Sequence, residues 1–402
     1  MHTVNSNSKR LLLLGGSHAE IPLIKAAQKL GYYVITTGNA RDGLGHPFAD
    51  KNIFADFSDK EQMLSIARAE GVSAVCSGCN DFALLSTVYV TEKLGLKGHD
   101  SLKISETIHH KDRFRALAEK LEIASPKAVQ VKSIEDLEKA LLTLKFPLII
   151  KPVDLTGGKG VRRVETAEEA IDAYHHAFER TRENHIIVEE FIEGTNHGFS
   201  AFLVDQKVAF YFSDNEQYYL NKYMVSGANS PTIVCESSLK RLCTYSEKIA
   251  QDLQLVDGIL HIQFIEHPTL GPYIIEICRR PPGDLYIQFV EYATGVPYPE
   301  YLILAETGAD VHSIKQAPTK GFWLRHCIMA KEEGVLEDVY FAPEIKNNVF
   351  DKLLWYKKGE KVEDKLYYKA GIVFLKFDSL KEMQEKTTLM NEYIQCKINP
   401  IK

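Results

Sequence analysis

The stretch Lys151-Pro152-Val153-Asp154-Leu155-Thr156-Gly157-Gly158-Lys159-Gly160-Val161 carries more information about the fold than any other part of the chain. It follows an apolar run, residues 146–150, and holds three glycines within four positions. Glycine adopts backbone conformations closed to other residues, and such a turn can fold its N–H groups around phosphate oxygens. Lys151 would add a positive charge for the same ligand. The alternative is an ordinary β-hairpin with a glycine turn.

The composition is that of a globular protein with two or three domains. The chain has 402 residues, of which 45% are apolar and 25% charged, and a formal net charge of −6. The negative charge argues against a sequence-independent nucleic-acid binder, and the apolar runs are far shorter than the ~20 residues of a membrane span. The N-terminus is polar and the seven cysteines are scattered, which predicts a cytoplasmic protein with reduced thiols. Cys76-Ser77-Gly78-Cys79 has redox or zinc spacing but lacks a second pair, so we interpret it as structural.

Strand and helix patterns alternate over residues 10–100 and predict a parallel, doubly wound α/β sheet. The predicted strands cover residues 10–14, 33–37 and 74–76, and the predicted helices cover residues 19–30, 60–70 and 81–94. Gly31, Gly71 and Gly95 follow these helices. The first strand–helix turn, Gly15-Gly16-Ser17-His18, lacks the GxGxxG dinucleotide pattern, so it is either an anion site at a helix start or a tight connection.

The pattern changes beyond about residue 104. Helices are predicted over residues 111–121, 133–143, 166–182, 239–253 and 379–391. Strands are predicted over residues 147–152, 161–165 and 185–191, with antiparallel strands over 198–212 and 258–277 and a strand-rich region from about residue 315.

Several charged or polar residues follow one another along the chain in an order that is typical of a single functional site. They are Lys111, Lys151, the segment 189–194, Gln263 and the segment 276–284. With the glycine turn they resemble the ATP-grasp superfamily, whose members join a carboxylate to an amine or another nucleophile through an acyl phosphate. The chain looks most like the L-amino-acid ligase and biotin-carboxylase-like branch. The resemblance implies an N-terminal α/β domain over residues 1–103, a central two-subdomain ATP-grasp domain over 104–314 with a mobile lid at about 147–195, and a β-rich C-terminal cap over 315–402.

The resemblance also implies ATP and Mg²⁺ as cofactors and assigns roles by position. The catalytic residues would be Lys151, Glu276 and Arg280. The nucleotide-binding residues would be Lys111, Lys151, Thr156, Gly157, Gly158, Lys159, Gly160, Val161, Glu189, Glu190, Phe191, Ile192, Asn196 and Lys222. The glycine loop would close over the phosphates, and residues 189–192 would meet the adenine edge.

The predicted metal ligands depart from the family pattern. Glu276 matches the principal magnesium carboxylate, but Gln263 stands where the family usually has an acid, and Cys278 replaces the asparagine of E-x-N-x-R-x-x-G. Magnesium prefers hard oxygen ligands, which a thiol is not. Asn196 likewise replaces the acid that usually binds the ribose, and Gly283 and Asp284 complete the pattern after Arg280. Candidates for a second acid are Asp257, Asp284 and Glu291, and Arg279 is either an extra cation of the site or a surface residue.

Three functions remain open at this stage. The main hypothesis is an ADP-forming carboxylate–amine ligase acting on small molecules, with no nucleic-acid or membrane partner and with a homodimer as a further expectation from relatives. A second is a one-carbon ligase for formate or bicarbonate, which would need a sugar-phosphate site at Gly15-Gly16-Ser17. A third is a nucleotide-binding protein with weak or lost catalysis. An oxidoreductase is less favoured, since the dinucleotide fingerprint is absent.

Overall fold

A computed structural model describes residues 9–155 and 158–400 of the chain. Thr156 and Gly157, two of the predicted phosphate-loop residues, lie outside the described residues.

The N-terminal part is a parallel sheet with helices on both faces. Its strands pair in the order β3-β2-β1-β4. Leu11 and Leu13 of β1 pack with the first helix, whereas Leu12 and Leu14 pack on the opposite face with the next two helices. This alternation confirms the doubly wound prediction. The elements are β1 Arg10–Leu14, α1 Ile21–Lys29, β2 Tyr33–Thr37, β3 Lys51–Ile53, α2 Lys60–Glu70, β4 Ala74–Ser77 and α3 Asp81–Leu94.

A second, antiparallel sheet forms a small subdomain around the glycine turn. It is preceded by α4 Leu102–His109 and α5 Lys111–Lys120, and it comprises β5 Ala128–Val131, α6 Ile134–Thr143, β6 Leu148–Pro152, β7 Arg162–Val164, α7 Ala167–Phe178 and β8 Ile186–Glu190. The strand order is β5-β8-β6-β7. Leu148, Ile150 and Val188 pack under α6 and α7. Because strand side chains alternate between faces, Lys151 and Glu189 point to the other, cleft-facing side.

The largest sheet is antiparallel and has the strand order β13-β12-β9-β10-β11-β14-β18-β16. Its strands and neighbouring helices are β9 Thr195–Val204, β10 Lys207–Tyr218, β11 Val225–Ser230, α8 Glu236–Leu253, β12 Gly258–His267, β13 Gly271–Cys278, α9 Tyr286–Thr294, α10 Tyr298–Glu306 and β14 Phe322–Met329. The remaining elements are β15 Gly334–Phe341, α11 Pro343–Lys346, β16 Val349–Leu354, β17 Lys361–Val362, β18 Lys369–Phe377, α12 Leu380–Thr388, α13 Met390–Tyr393 and β19 Ile394–Asn399.

The C-terminal region is β-rich, as the sequence predicts. Its strands β14, β18 and β16 continue the largest sheet, while β15, β17 and β19 form a separate sheet. The C-terminal strands therefore help to build the floor on which the candidate site lies, and the boundary at residue 315 stays a prediction. Within residues 9–155 and 158–400, no helix has the length and apolar character needed to cross a membrane.

Candidate functional site

Two lysines and a glutamate from different elements meet in the cleft between the small and the large sheet. Lys111 begins α5, Lys151 lies near the end of β6, and Glu276 lies near the end of β13. The Nζ atom of Lys111 donates to the carbonyl oxygen of Leu155 at 2.7 Å and lies 3.3 Å from the Oε1 atom of Glu276. The first predicted lysine thus joins the glycine turn to the predicted metal carboxylate.

Lys151 belongs to a buried charge cluster. Its Nζ atom lies 2.7 Å from Oε2 of Glu189, and Nε of Arg115 lies 2.8 Å from Oε1 of the same carboxylate. Burial lowers the pKa of Lys151 to about 8, against the opposing charge of Glu189. Burial works to raise the pKa of Glu189, but Arg115 and Lys151 together hold it below its ordinary value. The Glu189 side chain therefore orients Lys151, a contact that sequence reasoning did not foresee.

An apolar slot lies beside this cluster. The first cavity, of about 220 Å³, holds the slot and is lined in part by Ile149, Val161, Phe191, Ile192 and Phe264. An apolar slot with polar groups at its edges is typical of sites for planar ligands. At its rim, Asn196 and Lys222 are exposed.

The described part of the glycine loop contacts the connection between β10 and β11. Gly158 has a φ of +73°, and a Cβ atom there would lie 2.6 Å from the Cβ of Tyr223. The hydroxyl of Tyr223 in turn accepts a hydrogen bond from the backbone N–H of Arg163 at 3.2 Å. Only glycine fits this contact and this φ without strain, so Gly158 can lie directly against Tyr223.

A second cavity, of about 280 Å³, adjoins the first. The residues that line both cavities are Gly158, Glu216, Tyr223, Gln263 and Glu276. Glu276 pairs with Gln263 across β13 and β12, Gln263 pairs with Gly198 of β9, and Gly198 pairs with Asp214 of β10. These four residues form a row across the sheet, so the boundary between the cavities is part of the sheet itself.

Sequence reasoning missed two acids in this floor, Asp214 and Glu216. Gln263 donates through Nε2 to Oε1 of Glu216 at 2.8 Å, and Tyr218 donates its hydroxyl to Oε2 of Glu216 at 2.6 Å. Burial raises the pKa of Glu216. The spacing of two acids two residues apart on one strand was the available signal, since both then face the same side.

The cations Arg280, Arg325 and Lys369 line the second cavity. Arg280 pairs with Asp81 of the N-terminal sheet region through Nε at 2.5 Å and Nη2 at 3.3 Å. Lys369 of β18 lies 2.6 Å from Oδ2 of Asp284, and Arg325 of β14 donates to the carbonyl oxygen of Asp284 at 3.0 Å. Arg325 and Lys369, which line this cavity, were also missed from the sequence.

Comparisons with known proteins bear on the fold that carries this site. Residues 110–303 match the family model described as "Carbamoyl-phosphate synthase L chain, ATP binding domain". The L-amino acid ligase of Bacillus licheniformis superposes with a TM-score of 0.81 at 18% identity, covering 98% of this chain and 100% of that one. The chain has the ATP-grasp fold.

Two further comparisons extend this ATP-grasp assignment. The biotin carboxylase domain dimer of the Hydrogenobacter thermophilus 2-oxoglutarate carboxylase, solved with MgADP, ADP and bicarbonate, superposes with a TM-score of 0.79 at 16% identity over 98% of this chain and 91% of that one. A carbamoyl phosphate synthase large chain of Clostridium botulinum is 22% identical over 294 residues, or 68% of this chain. The chain spans about a quarter of that relative's length, since the match covers 27% of it.

The ATP-grasp cleft brings most of the predicted residues together. Those lining the first cavity are Lys111, Lys151, Gly158, Val161, Glu189, Glu190, Phe191, Ile192, Asn196, Lys222, Gln263 and Glu276. Cys278 and Arg280 line the second cavity, Lys159 is exposed, and Gly160 packs near Pro152. Thr156 and Gly157 fall outside the described residues.

The protein offers few oxygen ligands at the boundary between the cavities, so a hard cation there would take most of its ligands from outside the protein. Glu276 supplies a carboxylate and Gln263 an amide oxygen, while the Cys278 thiol donates to the carbonyl oxygen of Arg280 at 3.6 Å. Burial raises the pKa of Cys278 to about 11, which keeps it a thiol and argues against it as a magnesium ligand. Among the described residues, no group of three or more His, Cys, Asp or Glu side chains could hold a metal ion. Glu276 and Gln263 therefore fit magnesium that is shared with phosphate oxygens.

The other predicted acids lie elsewhere in the ATP-grasp fold. Asp257 accepts from the backbone N–H of Asp205 at 2.8 Å and lines a separate small cavity. Glu291 of α9 accepts from Gln288 at 2.9 Å. Of the three candidates for a second acid, only Asp284 lines the second cavity, and there it pairs with Lys369.

The first strand–helix turn is closed by the protein's own carboxylate. Oε2 of Glu20 accepts from the backbone N–H of Ser17 at 2.7 Å and from its hydroxyl at 2.6 Å, and Oε1 accepts from the N–H of Cys79 at 2.9 Å. These are the groups that an anion would need. Glu20 thus occupies two backbone N–H groups and one hydroxyl that an anion could bind, while the turn also lines a cavity of about 280 Å³.

Proposed function

We propose that this chain is an ADP-forming ligase that phosphorylates a small carboxylate with ATP and transfers the acyl group to an amine. The observation that carries the proposal is the junction of the two cavities at Glu216, Gln263 and Glu276, under Gly158 of the glycine loop. The first cavity has the apolar slot and lysines that a nucleotide needs. The second has cations and acids for a polar substrate.

In this proposal the first cavity binds ATP. Ile149, Phe191 and Ile192 enclose the adenine, Asn196 meets the ribose, and Lys111 and Lys151 contact phosphate oxygens. The described part of the glycine loop, residues 158–161, covers the phosphates, with Lys222 at the rim. A magnesium ion held by Glu276 and Gln263 would neutralise phosphate charge when bound.

The second cavity binds the carboxylate close to the transferred phosphoryl group. Arg280 lies in its wall, oriented by Asp81, and an arginine fork suits a carboxylate or a phosphoryl group. No residue of the chain forms a covalent bond in this reaction. The protein supplies positioning and charge neutralisation, which are the main sources of rate in phosphoryl transfer.

A screen of ADP release tests the proposal. Purified protein with ATP and magnesium is given a panel of amino acids and small carboxylic acids, alone and in pairs with amines, together with formate and bicarbonate. Hydroxylamine is added in parallel to trap any acyl phosphate as a hydroxamate. We expect ADP release that depends on both an acid and an amine, with hydroxamate from the same acid. ATP turnover unaffected by every acid would contradict the proposal.

The same panel separates the other functions. Stimulation by formate or bicarbonate would favour the one-carbon ligase. Metal-dependent ATP binding without phosphate transfer would favour a nucleotide-binding protein. A cytoplasmic location and a homodimer stay predictions.

We expect Glu189→Gln to weaken ATP binding about tenfold at neutral pH. The Glu189 charge raises the pKa of Lys151, which burial already lowers to about 8, so its removal lowers that pKa further. Less of the lysine is then charged, and phosphate oxygens lose an attraction. Titration calorimetry from about pH 6 to about pH 9 measures the effect.

The direction in which ATP affinity changes with pH provides a second test of this prediction. ATP affinity of the unmodified protein should fall as the pH rises through about 8, and in Glu189→Gln the fall should begin at lower pH. Glu183→Gln, an exposed carboxylate on the same subdomain, serves as the control and should bind ATP as the unmodified protein does. Identical pH profiles for the two variants would contradict the role given to Glu189.

A further inference from the structure

Asp214 has an unusual environment for a carboxylate. It is fully buried, yet it lines the second cavity. Its Oδ2 atom accepts a hydrogen bond from the Tyr286 hydroxyl at 2.7 Å. Its buried Oδ1 atom has no hydrogen-bond partner among the residues that the structure describes. A buried oxygen without a partner costs free energy, so this atom is suited to a ligand that enters the cavity.

The sheet keeps space open beside this carboxylate. Gly198 lies between Asp214 and Gln263 in the row across the sheet. A Cβ atom at Gly198 would lie 2.6 Å from Oδ2 of Asp214, so any larger residue would displace the carboxylate. Strands in a sheet are about 4.8 Å apart, which places Asp214 two strands from Gln263 and three from Glu276. The carboxylate thus lies within reach of a substrate at the cavity junction.

The charges around Asp214 come from several elements. Glu216 lies on the same strand, Tyr286 comes from α9, and Arg325 comes from β14. His261 of β12 also lines the cavity, and burial lowers its pKa to about 3, so it is neutral. Burial, and then the charge of Glu216, raise the pKa of Asp214 to about 7, while Tyr286 and Arg325 oppose the rise. A group near pKa 7 is suited to exchange protons at neutral pH.

We propose that Asp214 is the proton acceptor for the amine substrate, and that Asp214 and Glu216 together hold the ammonium group from which the proton is taken. The inference rests on the proposed ligase function and deepens it by naming the amine subsite. Asp214 and Glu216 line the same cavity as Arg280 and Lys369, so the cavity holds acids that match a cation and cations that match a carboxylate. The amine is therefore an alkyl amine that is protonated in solution, such as an amino acid's.

The step balances in protons and electrons. The ammonium group gives one proton to the Asp214 carboxylate and becomes a neutral amine. The nitrogen lone pair attacks the carbonyl carbon of the acyl phosphate, a C–N bond forms, and the C–O bond to phosphate breaks. Phosphate leaves with that electron pair and takes the second proton from nitrogen. Asp214 returns its proton to solvent when the products leave.

Asp214→Asn tests the inference with two nucleophiles. We expect the kcat of amine-dependent ADP release to fall about 100-fold at neutral pH, because general-base catalysis contributes about 10²–10⁴-fold. Hydroxylamine is uncharged at neutral pH and needs no base, so hydroxamate formation should stay within about threefold of the unmodified protein. Asp378→Asn, an exposed residue after β18, is the matched control and should change neither rate.

Two further variants should shift the pH profile in opposite directions, which a purely structural role would not do. Glu216→Gln removes a charge that raises the pKa of Asp214, so the acidic limb of amine-dependent kcat should move to lower pH. Tyr286→Phe removes a donor that lowers the pKa, so the limb should move to higher pH. These variants keep the test valid even where Asp214→Asn folds poorly.

The outcomes separate the inference from the function on which it rests. Unmodified protein that forms no hydroxamate from any acid would overturn the ligase proposal and this inference with it. Hydroxamate formation without turnover of any amine in the panel would overturn the amine subsite alone. So would full amine turnover in Asp214→Asn, or shifts of the same sign in Glu216→Gln and Tyr286→Phe.

Discussion

Replacing Glu276 with alanine is expected to reduce ADP release about 1,000-fold, the upper range for loss of one group that stabilises charge in a transition state. Glu276 lies at the junction of both cavities and 3.3 Å from Lys111, so the change removes a charge partner of the lysine and the predicted metal carboxylate together. Steady-state ADP release and ATP titrations with and without magnesium would measure the loss. The magnesium dependence of ATP binding should largely disappear.

The controls for this prediction separate charge from shape. Glu276→Gln keeps the shape and removes the charge, so it should lose nearly as much turnover as the alanine variant. Glu291→Ala removes an acid that the sequence also offered as a ligand but that contacts Gln288 on α9, and its turnover should stay within about twofold. Full turnover in Glu276→Ala would contradict the place of Glu276 in the site.

Replacing Arg279 with methionine is expected to destabilise the fold by about 3–5 kcal/mol, as removal of one partner of a buried ion pair does. Nε of Arg279 donates to Oδ2 of Asp100 at 2.8 Å. Its Nη1 and Nη2 atoms donate to the carbonyl oxygens of Ile259 at 2.5 Å and Val256 at 2.7 Å. Methionine would fill the volume but leave a buried carboxylate and two carbonyls without these donors. Urea unfolding monitored by circular dichroism measures the change.

An exposed ion pair provides the comparison. Arg113 lies 3.0 Å from Glu106 with about half of its side chain in solvent, and Arg113→Met should change stability by less than about 1 kcal/mol. A similar small change in Arg279→Met would show that the buried network is not required. Arg279 and Arg280, which are adjacent in sequence, therefore have different roles. Arg279 joins the segment after α3 to β12, and Arg280 lines the second cavity.

Local sequence signals predicted the regular elements well. The bounds of α2 and α3 match the prediction, because Asp59 and Asn80 cap their starts and Gly71 and Gly95 adopt the left-handed conformation at their ends. The segment 258–277, predicted to hold antiparallel strands, contains β12 and β13, and Gly271 with its positive φ begins the second of them. The elements that were missed include α4, α9, α10, β3, β5 and β11, all of which are short.

The site was only partly predictable, because many of its contacts join residues that are distant in sequence. Lys111, Lys151, Glu276 and the glycine turn carry a spacing that the sequence displays directly. The contacts of Glu189 with Lys151 and Arg115 depend on strand pairing and on the position of α5, which no local pattern encodes. The closing of the first turn by Glu20 likewise depends on the approach of Cys79 from another strand end.

The sequence by itself determined much of the order of secondary structure and displayed the glycine turn on which the predicted nucleotide site rests, because capping, periodicity and glycine turns act over a few residues. The glycine stretch at residues 151–161 is the clearest case. Only the tertiary structure decided which polar groups face one another. Asp214 and Glu216 lie in one sheet with Gln263 and Glu276 because β9 pairs with both β10 and β12, which joins Gly198 to Gln263, a residue far from it in sequence. That register is set by packing of the whole sheet.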